Sequence, residues 1–451
     1  MKKILFLSIF LLGLYNATGQ NYYMTAPEGF GRNATGGAGG PTVTVTNYTD
    51  FYNAINSTGS NAGTKIILVS GTITLPATHT TVLVKNKTII GLPGATLVNT
   101  IRVKAGSGIL YLKPTSDNVI IRNLIFKGPG AYDTDGEDNL TNEGTNIWVD
   151  HCEFQDGMDG NFDNKGEADN VTISWCKFTY LIAPLAGGSG GSPDHRFSNL
   201  VGSGVDDFPA TVGNRYSITF KNCYWADGCK ARMPRARNAE LHVLNCYYKT
   251  SVSGAAAIGL GAGDKGTTCY VEKCNFEQVA KISDPVDEGS GTTVVKFDGC
   301  TKGTTPTAVT GLDVGTATKP TYTYTVLPVA DVATYVTNAN CGAGATLQVT
   351  TAGVISTSCP NLGVEDYALN GVKLYPTFVN DVLNIDLSDT VSGDATIDIY
   401  SIAGAKVFSS SKKNVSPSEK LSFNLAGLSK GVYLCTLQIG QTATTLKFIK
   451  E

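Results

Sequence analysis

Charge is scarce in this chain of 451 residues. Asp, Glu, Lys and Arg make up 16% of it, against about 25% in an average globular protein, and 35 basic residues against 38 acidic ones leave a formal net charge of −3. A nucleic-acid binder needs a broad basic surface, so that class is excluded, and a polyanion has only a local basic cleft to bind in. Long apolar runs are absent after Leu14, and nothing approaches the ~18 uninterrupted apolar residues of a spanning helix, so no membrane span is expected in the mature chain. Glycine is abundant, at 51 residues, but it has no three-residue period, and 42% of the chain is hydrophobic. Collagen-like and disordered chains are therefore excluded.

The first residues differ from all the others. Lys2 and Lys3, an apolar run from Ile4 to Leu14, and the small-residue end Ala17-Thr18-Gly19 form the three regions of a secretory signal peptide. Residues 1–19 are expected to be removed and the protein to be secreted, extracellular or attached to the cell surface. Export permits disulfides, and the eleven Cys suggest them.

Six of these Cys occupy one recurring frame: NIWVDHCEF, NVTISWCKF, SITFKNCYW, ELHVLNCYY, CYVEKCNF and VVKFDGC, ending at Cys152, Cys176, Cys223, Cys246, Cys274 and Cys300. The intervals are 24, 47, 23, 28 and 26 residues. If the long one is two turns, the repeat is about 24 to 28 residues, and NVIIRNLIF, with Leu124 in the thiol position, is an earlier copy. Such a period marks a solenoid, and the alternating apolar pattern within each unit is that of strands rather than helices. Stacked units of this kind make a right-handed parallel β-helix, with equivalent side chains in ladders about 4.8 Å apart. The framed Cys are therefore expected as buried members of an interior stack, not bridges. Cys229, outside the frame, is the expected candidate for pairing. A solenoid with covered ends is expected to be a monomer.

After Cys359-Pro360 the texture changes. KLYPTFVNDVLNI, ATIDIYSIAGAKVF and LSFNLAGLSKGVYLCTLQIG alternate apolar and polar residues between Gly, Asn and Ser turns, as in a small antiparallel β-sandwich. The segment resembles the C-terminal sorting domain of the type IX secretion system at Tyr375-Pro376, Ile399-Tyr400, Gly404, Leu428 and Gly431-Tyr433. It departs at Thr377-Phe378, where that family has Asn-Pro. The resemblance implies the type IX secretion machinery as a partner, and an accessory carbohydrate-binding sandwich is the alternative. The expected organisation is a signal peptide (1–19), a β-helix (20–345), a linker (346–364) and a C-terminal β-sandwich (365–451).

Two clusters carry chemistry. Asp159 and Asp163 lie four residues apart among Gly157, Gly160 and Gly166, between two solenoid strands, where two carboxylates can converge on a hard cation. The ligand spacing of an EF-hand is absent. Lys230, Arg232, Arg235 and Arg237 crowd CKARMPRARNAELHVLNCYY, two turns further along the stack, and Pro234 stiffens their segment. Acidic metal ligands and a fixed Arg cluster on one face of a solenoid suit an acidic polysaccharide.

At these residues the chain resembles the pectate lyases of polysaccharide lyase family one. The likeness runs through NIWVDHCEF, DGNFDNKGEADNVTISWCKF and RMPRAR with HVLNCYY, extends to GFGRNATGGAGGPTVTVTN and TYTYTVLPVADVATYVTNANCGAG, and covers about residues 21–345. It implies a parallel β-helix, calcium as cofactor, and polygalacturonate (pectate) as the substrate of a β-elimination. Position by position it implies Asp159 and Asp163 as calcium ligands. A third ligand comes from Asp133, Asp135, Glu137 or Asp138, and the alignment of DNLTNEGTNIWVDH favours Asp138. It also implies Arg232 as the Brønsted base, with Arg237 and Lys165 as substrate-binding residues. Asp150 and His151 are implied as scaffold. The family's HDKxxLIG segment appears here as DHRFSNLVG, so its substrate-contacting Lys is replaced near Arg196 or Phe197, and Arg196 is the substrate-binding candidate. A pectin lyase acting on methyl-esterified chains and a non-catalytic polysaccharide-binding β-helix are the alternatives. The Asp pair argues against the first, and RMPRAR argues against the second.

Overall fold

The computed structural model describes residues 24–356, 359 and 372–451, apart from 77, 105, 135, 211, 212, 390, 403, 440 and 441. The signal-peptide segment and Asp135 lie outside them. Contacts divide the chain into two units, Met1–Cys359 and Pro360–Glu451.

In the first unit, a β-solenoid of parallel strands winds through three sheets of ten, eight and ten strands, with an antiparallel pair, Thr301–Lys302 and Thr307–Ala308, at one sheet end. Thr145–Asp150, for example, pairs in parallel with Asp117–Arg122 on one side and Asp169–Ser174 on the other. The corner before each framed Cys explains the Asn-Cys spelling of the repeat. Asn123, Asn222 and Asn245 have φ of 59°, 56° and 51°, a left-handed conformation that Asn tolerates better than most residues. His151, Trp175 and Lys273 occupy the same corner in other turns at 46°, 49° and 50°. The next residue then points inward. Cys152, Cys176, Cys223, Cys246, Cys274 and Cys300 are all buried and unbridged, with Leu124 in their line. Two residues on, a ladder of rings runs Phe126, Phe154, Phe178, Trp225, Tyr248 and Phe276, with successive centroids 4.8, 5.3, 5.5, 4.7 and 4.4 Å apart. Side chains of one register thus repeat at the strand spacing and fill the interior.

Two expectations change. The 47-residue interval is one turn, since Asp169–Ser174 pairs directly with Tyr216–Lys221. The extra length is loop outside the three strands, which the core leaves free to grow. Cys229 is unpaired: its thiol is buried and donates to Phe178 O at 3.3 Å, and burial pushes its pKa up to about 12. The bridge present joins Cys341 to Cys359. Around it Leu347 and Val349 pack with Leu68 and Ile90. Replacing both bridged Cys by Ser is expected to remove about 3 kcal/mol of loop-closure stabilisation, read as faster proteolysis of the 341–359 strap with the solenoid still folded.

The second unit has an antiparallel three-stranded sheet and a five-stranded sheet. The five-stranded sheet is antiparallel except where Phe378–Val379 runs parallel to Thr442–Lys450. Val379, Leu383, Ile397, Leu437 and Phe448 are among its own buried core.

Candidate active site

The eight-stranded sheet carries the cleft. Its strands Leu140–Asn142, Phe162–Asn164, Leu200–Val201 and Arg235–Ala236 are consecutive rungs. Thr141 stands beside Asp163, Asn164 beside Val201 on the next strand, and Leu200 beside Arg235 on the one after. Because side chains alternate across a strand, Asp163 and Arg235 share the outer face while Asn164 and Ala236 face inward. Sequence positions far apart are thereby placed about 10 Å apart or less, two rungs of the stack.

Asp138, Asp159 and Asp163 form an acidic group. Asp138 is buried; its Oδ2 accepts from Thr141 Oγ1 at 2.7 Å, and its Oδ1 has no partner. Asp163 Oδ1 accepts from the Leu200 N–H at 2.8 Å. Burial pushes the Asp138 carboxyl well above the usual range, and the charges of Asp163 and Asp159 add to this. Burial likewise raises Asp163 to about 6, against the pull of Arg232. Gly160 lies between the two: a Cβ there would come within 2.6 Å of Asp138 Oδ1 and 3.1 Å of Asp163 Oδ1. The glycine therefore keeps open a space bounded by carboxylate oxygens.

Lys165 follows on the same side, with Nζ 5.3 Å from the Tyr111 ring centre. Burial opposes its charge, but Asp138, Glu137 and Asp163 outweigh that and hold its pKa above the ordinary value. Arg232 precedes the next strand in a left-handed conformation, φ 57°, with its carbonyl held by the Asn199 N–H at 2.7 Å. Its guanidinium lies 4.7 Å from the Phe197 ring centre, and its Nε is buried without a partner.

Two of the expected substrate-binding cations are engaged internally. Arg237 grips Glu288 through Nε and Nη2 and donates through Nη1 to Gly202 O at 2.8 Å. Arg196 is bidentate on Asp194, with both contacts at 2.7 Å. The structure thus brings together Asp138, Asp159, Asp163, Lys165 and Arg232, and turns Arg237 and Arg196 toward carboxylates of the chain itself. His151 is fully buried, its Nδ1 2.9 Å from Asp150 Oδ2, as expected of scaffold.

Sequence reasoning does not reach His195 or Glu288. His195 lies between two carboxylates, Nδ1 3.1 Å from Asp133 Oδ1 and Nε2 3.0 Å from Asp159 Oδ1. The two nitrogens are on opposite sides of the ring and neither makes a hydrogen bond, and the three residues form a cluster of oxygen and nitrogen atoms of the kind that can hold a metal ion. His195 lies in the DHRF segment whose departure from the family was visible, whereas Glu288 sits in an acidic turn with no distinguishing pattern.

Comparison with known proteins agrees with this architecture. The secretion system C-terminal sorting domain matches residues 373–451. A pectate trisaccharide-lyase of Thermotoga sp. (strain RQ2) is 32% identical over 238 residues, which are 51% of this chain and 56% of that protein. The chain thus spans a little over half the length of this relative. A pectin lyase of Pectobacterium carotovorum is 30% identical over 237 residues, 50% of this chain and 67% of that protein. In fold, the chain is similar to the crystal structure of pectate lyase Bsp165PelA from Bacillus sp. N165 in complex with trigalacturonate, with TM-score 0.51 and 22% identity, covering 68% of this chain and 96% of that one. The pectate lyase family model matches residues 9–346, three quarters of the sequence and every residue of the cleft just described, and the chain belongs to the pectate lyase family, followed by a secretion-system sorting domain.

Proposed function

We propose that the protein is a secreted, calcium-dependent pectate lyase that cleaves polygalacturonate by β-elimination to give 4,5-unsaturated oligogalacturonides. One observation carries this reading: Asp138 and Asp163 face the space beside Gly160, Asp159 is near enough for its charge to act on both carboxyls, and Arg232 is near enough to Asp163 to oppose the rise of its pKa. The all-oxygen set suits a hard cation. The unpartnered Oδ1 of Asp138 and the space kept by Gly160 fit one as well. Bound calcium would neutralise the uronate carboxylate beside the reacting carbon and so acidify its proton.

The remaining work falls to side chains. Arg232 takes the C5 proton, the electron pair forms the C4–C5 double bond, and the C4–O bond breaks, with the leaving oxygen protonated from solvent. An arginine must be neutral to act as a base, so activity is expected to rise toward alkaline pH. Lys165 supplies a cation for a neighbouring uronate. In this assignment Arg237 and Arg196 bind substrate only by exchanging Glu288 and Asp194 for a uronate carboxylate, since a guanidinium fork holds one carboxylate bidentately at a time. The sorting domain directs export, and we assign the type IX machinery as its partner.

The test is ultraviolet absorbance of the unsaturated product from polygalacturonate, with and without chelator. Product in calcium and none in chelator is expected; no product under any condition overturns the assignment. A subtler variant is Gly160→Ala, which fills the space between Asp138 and Asp163 and leaves the core untouched. It is expected to weaken calcium affinity about 10- to 100-fold, as outer-shell changes do, measured by calorimetric titration.

A further inference from the structure

We propose that the protein holds a second, chemically different metal ion, a borderline divalent cation of the zinc class, bound by Asp133, His195 and Asp159. One donor atom from each of the three lies within 4.8 Å of the others. His195 is only 5% exposed, and neither ring nitrogen makes a hydrogen bond, although each has a carboxylate oxygen at 3.0 or 3.1 Å. A buried imidazole with both nitrogens unsatisfied is costly, and giving one lone pair to an ion removes much of that cost. Donors at this separation are close to the spacing of neighbours around an ion with bonds of about 2.0–2.2 Å. The nitrogen that does not bind keeps the ring proton and faces the other carboxylate, as is usual for histidines on metals.

The donor set separates this ion from calcium. Calcium takes oxygen ligands, whereas an imidazole suits zinc and its neighbours. Asp159 is shared: its Oδ1 is the atom beside His195 Nε2, which leaves its second oxygen for the calcium group. Charge agrees, since two carboxylates balance one dication, while an imidazole carries one positive charge at most. Arg196, next in the chain, is bidentate on Asp194 and does not neutralise the pair.

Three segments far apart in sequence meet at the ion. Asp133 Oδ2 accepts from the Ser192 N–H at 2.7 Å, Asp133 O accepts from the Gly190 N–H at 2.9 Å, and Tyr132 bridges in parallel to Leu185. The Gly-rich loop 185–193 is thus laid along residues 132–133, and His195 follows it directly. Phe197 packs against the imidazole, with ring centres 4.2 Å apart, and limits its rotation. The ion ties this largely exposed loop, which has little apolar surface to bury, to the turn that carries Asp159. Three protein donors leave one tetrahedral position for water.

The experiment is calorimetric titration of the untagged protein with zinc at saturating calcium, together with visible absorption of cobalt(II) as a spectroscopic stand-in. One equivalent of zinc is expected to bind, and cobalt to give the intense visible bands of a tetrahedral site. His195→Gln and the isosteric Asp133→Asn should each weaken zinc at least about 100-fold, the upper end of an outer-shell change, and abolish the cobalt bands, with calcium affinity little changed. If the histidine variant does not fold, Asp133→Asn alone carries this comparison. Asp163→Ala should do the reverse, weakening calcium and keeping zinc. Zinc should also slow proteolysis within 185–193 in wild type only. No zinc bound, zinc displaced by calcium, or zinc held equally by wild type and Asp133→Asn overturns the second site and leaves the lyase assignment standing. Wild type that binds zinc but no calcium supports the second site and overturns the calcium assignment instead.

Discussion

Arg232→Lys is expected to lose roughly 10² to 10⁴ in kcat while KM changes far less, because general-base contributions are of that size and act in the transition state. The charge survives in this variant, so attraction of the polyanion survives too. What changes is placement. The guanidinium is aimed by a left-handed backbone at residue 232, by the Asn199–Arg232 hydrogen bond and by the face of Phe197. An ammonium on a flexible stem is a compact point charge with none of the planar surface that stacks on a ring. Single-turnover kinetics on polygalacturonate separate the effects: a near-normal chemical step in Arg232→Lys would remove Arg232 from the base role, whatever happens to affinity.

Asp163→Ala is expected to abolish turnover at low calcium and to leave the fold intact. Asp163 is buried on the outer side of its strand, beneath the cleft, whereas Phe162 packs in the apolar core, so its loss removes a proposed ligand and leaves that core in place. The same carboxylates give the site a pH signature. Asp163 is raised to about 6, and Asp138 is raised well above the usual carboxylate range, chiefly by burial. Protons therefore compete with calcium, and affinity should fall as pH drops through about 6. For the metal-free protein the sign reverses. A carboxyl whose folded pKa exceeds its unfolded value of ~3.9 destabilises the fold above pH 6, and this penalty disappears as pH falls toward 4. Thermal melts should show calcium stabilising strongly at pH 8 and weakly at pH 5. Melts indifferent to calcium at both pH values would sink the metal assignment.

The solenoid was legible because its signals are local. A period-two apolar pattern, a corner that wants a left-handed residue and an inward Cys, or Leu124, two positions before a ring repeat from Phe126 to Phe276, and each turn needs only its neighbours to bury that set. The framed Cys and the aromatic positions therefore appear in the core where the repeat puts them. The exceptions are equally physical. The spacing of 47 residues looks like two periods, but a parallel stack constrains its strands, not the loop between them. Cys229 falls outside the frame yet is buried by the turn below it, while the bridge forms at Cys341 and Cys359, beyond the repeat, where a strap must be tied down.

What the sequence determined by itself is the repeat, the break before the C-terminal domain, and the residue types of the cleft: carboxylates in a Gly-rich turn and a stiffened run of arginines. Only the tertiary structure decided which charges remain free. Arg232 and Arg237 stand five residues apart in one motif, yet Arg232 rests on Phe197 with an unpartnered Nε while Arg237 is held by Glu288, 51 residues further along the chain. His195 likewise comes within 3.1 Å of Asp133 and 3.0 Å of Asp159, across turns. Ion pairing depends on distances of a few ångströms between rungs. Those distances are set by how loops of unequal length fold back over the stack, and no local pattern along the chain records them.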